Sequence, residues 1–528
     1  MLKIPFAINR NCPLISLLVF VIVLLSAVGA TAETYTVGGT DAAYATLETL
    51  RTSDVLADGD TIILNADDSS LEKAFTNTLT IQGTGKISSA TLSDRFFGND
   101  VGNVTLDSVS LGFSGFSDSA IFADGISIMG GANTFSGNTA MSYGGGAIKA
   151  VYENVNISGG TNTFSNNQAD SFGGAIYAFG DVNITGGTNF FSENVAKTSG
   201  GAIASGFGVQ ITGGTNTFFG NTATLNGGAV FVGGDKGVFR ATDGDFTFRG
   251  NQDSIGTEGK ANAIYMSGNE FADPLTLTLA AEKGQSIYFY DPITSSSTYK
   301  NLAIHINPEA TDTGRVVFDG SDYTSDADRH SAVYGNTTVR HGTMEMNGSV
   351  IYGASATVGS FTLNEWAALS SDATTNRIQA DIITMNGKVD IAKGGTLELA
   401  ATSGVYVNGT VNMGLGMDSF GFMDVLGDLT FGSDAMLSLY WGEGFDSLYV
   451  GWTKDYSLFG AENMIDFTDF DLDMSAFSDY QAFRWDWNDS VGILTLSYSG
   501  TSVPEPATLA LVGLGLAGLG LARRRRIV

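Results

Sequence analysis

The side chains best able to do chemistry are few and scattered. The 528 residues include three histidines (His305, His330, His341) and one cysteine, Cys12. No histidine stands in an H-E-x-x-H arrangement or another spacing that converges on zinc, and no nucleophilic triad is marked out. Asp469, Asp471 and Asp473 alternate as an EF-hand loop begins, but Met474 and Tyr480 occupy the positions such a loop reserves for Gly and a bidentate Glu. Asp58 and Asp60 flank Gly59 and read as a turn, because Asp-Gly is a turn dipeptide. The chemistry left to weigh is polysaccharide cleavage, whose sites use clustered carboxylates or calcium with a basic residue. In the regular part of the chain the outward positions read Lys149, Tyr177, Ala204, Phe231 and Tyr265, with no carboxylate column. The expectation is no catalytic, cofactor-binding or metal-ligating residue, and no cofactor beyond loosely associated divalent cations.

The element that would position any such residues is a repeat between Ile126 and Val232. Phe135, Phe164, Phe191 and Phe218 follow one another at steps of 29, 27 and 27, and Asn138, Asn167, Asn194 and Asn221 keep the same steps. A Gly-Gly-Ala-Ile block ends each copy, with Ile148, Ile176 and Ile203 followed by Val230 in the last. A period in this range marks a solenoid, whose units bury their apolar side only against neighbours. Each copy holds three short extended runs, such as Val155–Ser158, Thr161–Ser165 and Ala175–Ala178, separated by Gly and Asn. Runs this short with alternating polarity are strands, and three of them with their turns make one rung of a parallel β-helix. Stacking then places Phe over Phe and Ile over Ile as core, Asn over Asn as an amide ladder, and Gly at corners that need positive φ. A phosphate-cradling role for the glycines would require a following helix, and none of the copies offers one.

The alternation of F-x-x-N with G-G-A-I resembles the polymorphic outer-membrane proteins of chlamydiae and related autotransporter passengers. A fifth, worn copy (Phe248, Asn251, Ala263-Ile264) and the segment Gly284–Ile293 extend the likeness, which covers about residues 126–320. The resemblance implies a surface-displayed β-helix with adhesive or structural roles. Those proteins end in a membrane β-barrel, whereas this sequence ends in an apolar helical run and four arginines, so autotransport is not expected.

Residues 33–65 read as an N-terminal cap, with a strand at Thr34–Val37, an amphipathic helix over Ala42–Leu50 and a strand at Thr61–Leu64. Residues 66–270 form the regular β-helix and 271–440 an irregular continuation. In 441–502, which holds four of the five tryptophans, we expect an aromatic, acidic C-terminal cap. The fold class is thus all-β, a right-handed parallel β-helix (solenoid).

Both ends carry targeting signals. Lys3 and Arg10 precede the apolar run Leu14–Val28 and the small-x-small pair Ala30 and Ala32, the layout of a Sec signal peptide over residues 1–32. At the other end Pro504-Glu505-Pro506 precedes Ala507–Ala522 and the cluster Arg523, Arg524, Arg525 and Arg526. Sixteen apolar or small residues span about 24 Å as a helix, a little less than a bilayer core, and the arginines would hold their end in the cytoplasm. This order resembles the PEP-CTERM sorting signal over 503–528. The resemblance implies a single membrane-spanning sorting helix, an exosortase-like enzyme as partner, and final residence at the cell surface, outer membrane or extracellular matrix of a Gram-negative bacterium.

The net charge is −29. The terminal segments hold six of the 26 basic residues and one of the 55 acidic ones, leaving 20 against 54 in the body, a net of −34. Such a body repels nucleic acid. Without Cys12, which lies in the signal segment, no disulfide framework is possible. The functional expectation is an exported structural or adhesin-like protein facing exopolysaccharide, matrix or other cells. The alternative is a β-helical polysaccharide lyase or glycoside hydrolase.

Overall fold

The computed structural model describes residues 32–498 except 72, 89–95, 98–100, 108–109, 142, 254–259, 269–274, 299–300, 416–418, 442–452, 466–470, 474–482 and 489–492. The described residues are all-β apart from the helix Leu47–Thr52 and a 3-10 turn at Asp326–Asp328. Long parallel sheets dominate, one of 21 strands and one of 15, and the arrangement is consistent with a β-helical solenoid.

One repeat shows how the chain coils. Val155–Ser158, Thr161–Ser165, Gln168–Ala169 and Ile176–Ala178 lie on four successive sheets, and Val182–Thr185 then returns to the first. Every strand pairs in parallel with its equivalents one coil away, like residue beside like. Ile157 lies between Ile128 and Ile184, Phe164 between Phe135 and Phe191, and Ile176 between Ile148 and Ile203. The expectation of three strands per repeat is corrected to four. The additional strand is two residues long, too short to carry a periodicity, and its buried members are Ala140, Ala169, Ala196 and Ala223.

Three strands per coil do occur further on. Ser360–Leu363, Ala367–Ser371 and Thr375–Ala380 form one coil, and Ile382–Met385, Lys388–Ile391 and Thr396–Ala401 the next. The long strand Phe422–Phe431 pairs with two strands of the preceding coils, with a register shift between Val425 and Asp428 on its other edge. At the start, Thr34–Val37 and Thr61–Leu64 already belong to the 21-stranded sheet. The helix is shorter than its spacing suggested and begins after Thr46, whose extended backbone and side chain cap it, while Tyr44 bridges to Val37. Leu47 and Leu50 turn into the core. In 441–502, Thr453–Ser457, Phe483–Asn488 and Ile493–Tyr498 form a separate antiparallel sheet.

The core is one continuous cluster with a spine of phenylalanine. Phe113, Phe135, Phe164, Phe191, Phe218, Phe248, Phe289 and Phe318 stack with centroids 4.7–5.4 Å apart and planes within 17° of one another. The strand spacing of a parallel sheet, about 4.8 Å, imposes this separation. Phe96 and Tyr352 close the two ends edge-on.

The residue before each ladder Asn holds a left-handed backbone: Gly137, Asn166, Glu193, Gly220 and Gly250, with φ between 54° and 71°. A side chain costs about 1–2 kcal/mol there, and Gly escapes that cost. Glu193→Gly should therefore raise stability by about 1 kcal/mol in urea unfolding. Phe191→Ala, at the centre of the spine, should lower it by about 3–5 kcal/mol.

Candidate functional site

The polar interior has the most regular geometry. Asn138, Asn167, Asn194, Asn221 and Asn251 are fully buried, and each Nδ2 donates to the next Oδ1 at 2.9–3.0 Å. The same oxygen accepts the backbone N–H of the preceding Asn, and each Nδ2 also reaches a Phe carbonyl of the coil before. The amide dipoles therefore align, with their N–H ends toward the C-terminal side.

That row ends on a carboxylate. Asp291 accepts from Asn251 Nδ2 at 2.7 Å, Asn251 N and Gly250 N at 2.8 Å, and Tyr323 Oη at 2.5 Å. Burial holds the Asp291 carboxyl above its ordinary range even though all these donors pull it down. Burial and the neighbouring charge of Asp291 push the Tyr323 phenol well up. Sequence reasoning missed this terminator, because Asp replaces Asn just where the repeat fades.

A second ladder was also missed. Asn133, Asn162, Asn189 and Asn216 bond Nδ2 to Oδ1 at 2.9–3.0 Å, and each caps the carbonyl of the Gly three places earlier. Its signal was visible in the N-x-F runs at the same steps of 29, 27 and 27 residues. At the corner below, Gly160 has φ +72°, and a Cβ there would lie 2.5 Å from the Gly130 carbonyl carbon. In the Gly-Gly-Ala-Ile block, a Cβ on Gly174 would lie 2.1 Å from Gly201 O. Close backbone approach accounts for both glycines.

The outward column of the fourth sheet differs from its sequence reading. Lys149 and Ala204 are buried; Lys149 Nζ lies 4.8 Å from the Phe122 ring centre and 5.6 Å from that of Tyr143. Asp58 and Asp60 serve as turn acceptors, Asp58 for Thr78 N and Asp60 for Glu33 N and Ala57 N. The histidines stand apart in role. His330 Nε2 meets Gly353 O and Gln379, while burial and then Arg340 lower the pKa of His305. Among the described residues no group of three or more His, Cys, Asp or Glu is placed to hold a metal, and no helix is long and apolar enough to cross a membrane. Ala32 is the first described residue and is exposed. Ala30, Pro504, Glu505, Pro506 and Arg523–Arg526 lie outside the described residues, as does Asp469.

Comparison with known proteins defines what these coils and this tail resemble. The Chlamydia polymorphic membrane protein repeat matches residues 134–151 and 163–178, and the PEP-CTERM protein-sorting motif matches 502–526. The chain thus carries both features. The probable outer membrane proteins pmp2 and pmp7 of Chlamydia pneumoniae are 33% identical over 123 residues and 34% over 125. Those matches cover 21% and 22% of this chain and 14% and 13% of the relatives, so it spans about a seventh of their length.

Two outcomes test the ladder. Asn194→Ala leaves partners of both its neighbours unpaired in the core, so urea unfolding should show a loss of several kcal/mol, at about 1–3 kcal/mol per orphaned group. The folded Asp291 carboxyl lies above its usual value, so its contribution is fully present at acid pH and is lost as pH rises through the raised value. Native stability relative to Asp291→Asn should therefore increase as pH falls from neutral towards 3.8.

Proposed function

We propose that this chain is an exported, non-catalytic surface protein: a right-handed β-helical rod whose working surface is its exterior. In this reading, residues 1–32 direct it through the Sec system. The helix after Pro504-Glu505-Pro506 holds it in the inner membrane with Arg523–Arg526 on the cytoplasmic side. An exosortase-like enzyme processes the tail and releases the rod to the cell surface or matrix, where it acts as a structural or adhesin-like element. The observation that carries the reading is the joining, in one chain, of the sorting motif at 502–526 with the polymorphic membrane protein repeats. The packed interior supports it. Phe, Ile and Asn columns fill the coil, so recognition falls to the side chains pointing outward.

Deleting residues 503–528 tests the sorting. The truncated chain should accumulate unsorted in the periplasm or medium, and surface display equal to that of the full chain would sink the claim. A panel of acidic and neutral polysaccharides incubated with the protein should yield no new reducing ends or unsaturated products. Reproducible product release would favour a lyase or hydrolase instead.

A further inference from the structure

The exterior is not uniform. The outward columns of the first two sheets are mainly polar: Asn156, Asn183 and Gln210 on one, and Thr134, Thr163 and Thr217 on the other, where a lone exposed Phe190 interrupts the threonines. The fourth sheet and the corner after it are aromatic. Tyr177, Phe231 and Tyr265 stand in its outward column, with Phe231 and Tyr265 parallel at 6.0 Å. Ala204 would leave a notch in this column. Phe172 closes it from the preceding loop, 6.0 Å from Tyr177 and 5.9 Å from Phe231. At the corner Tyr152 is 75% exposed, Phe179 51% and Phe207 52%, the last two paired edge-to-face at 5.7 Å. A ring left in water forgoes roughly 1.5–3 kcal/mol of burial, and contiguous apolar surface of this kind marks an interaction site.

We propose that this aromatic strip binds a neutral polysaccharide strand lying lengthwise along the rod. The proposal rests on the reading of the chain as an exported surface rod and names what its exterior would hold. Three features select the ligand. The net charge of −29 disfavours a uronate-rich or phosphorylated chain, and equally a second copy of this protein, at close range. The strip is linear and renewed every coil, about 4.8 Å, a repeat close to the length of one hexose unit in an extended glycan. Its rings offer apolar surface to sugar C–H groups, while the Tyr152, Tyr177 and Tyr265 hydroxyls can exchange hydrogen bonds with sugar hydroxyls.

The test is gel retardation of the exported protein in a neutral glucan, a neutral mannan and a uronate-rich polysaccharide. At least one neutral polymer should retard it, and Tyr152→Ser/Phe179→Ser/Phe207→Ser should weaken that retardation tenfold or more. Thr163→Ser/Thr217→Ser, on the second sheet, should leave it unchanged. If the triple variant unfolds in urea earlier than the parent, the single Phe207→Ala replaces it, with several-fold weakening expected. No retardation by either neutral polymer, retardation by the uronate polymer alone, or retardation unaltered in the aromatic variants would overturn the proposal. A dimer by light scattering that the triple variant abolishes would also overturn it and assign the strip to a second copy. These outcomes are independent of where the tail deletion sends the chain.

Discussion

Everything in this molecule follows from parallel, in-register stacking at one strand spacing. Where the repeats lie directly over one another, the Phe, Asn and Ile side chains of the interior have their own kind as neighbours, above and below. Only residues that gain from self-contact can occupy the interior. Phe gains by offset stacking, β-branched Ile and Val by packing in a pleated column, and Asn by an amide that donates at one end and accepts at the other. A buried Asp or Lys repeated in such a column would face like charge at close range, and among the described residues the interior ladders are built from neutral amides.

The same constraint governs how these ladders end. A row of Asn has an unsatisfied donor at one end and an acceptor at the other. At the first end Phe116 N donates to Asn138 Oδ1. At the last, a carboxylate meets the aligned N–H groups, and a tyrosine hydroxyl from a later loop closes the remaining lone pair. The second ladder ends more simply, where Phe246 takes the register position of Asn216 and the Asn216 amide turns to Gly213 and Gly214 carbonyls.

What could be read from the residues follows the same logic. Phe135 to Phe218 and Asn138 to Asn221 announce the coil, because a column of self-contacts demands one residue type at one step. The Ala140 to Ala223 column demands only smallness, which leaves no mark in a sequence rich in Ala and Gly, so the fourth strand was invisible. The fraying after Phe248 hid Asp291, whose role depends on ending the pattern rather than sharing it. Beyond it the coils differ in length and pack Met, Val, Leu and Ile interchangeably, so strands such as Ser360–Leu363 and Ile382–Met385 were visible locally while their common coil was not. The outward aromatics were legible as residues but not as a strip, since Phe172 reaches it from a loop.

The direction of the Asn row also bears on how such a rod can lengthen over generations. A duplicated 27-residue unit inserted anywhere between Asn138 and Asn251 would meet the same Phe, Ile and Asn neighbours it left, and the carboxylate would still stand at the end of the row. Reach is therefore adjustable by simple copying on the N-terminal side of Asp291. A copy placed beyond that carboxylate would have to begin against a negative charge and a three-stranded coil. The terminator thus acts as a ratchet on architecture, confining growth to one side of the molecule.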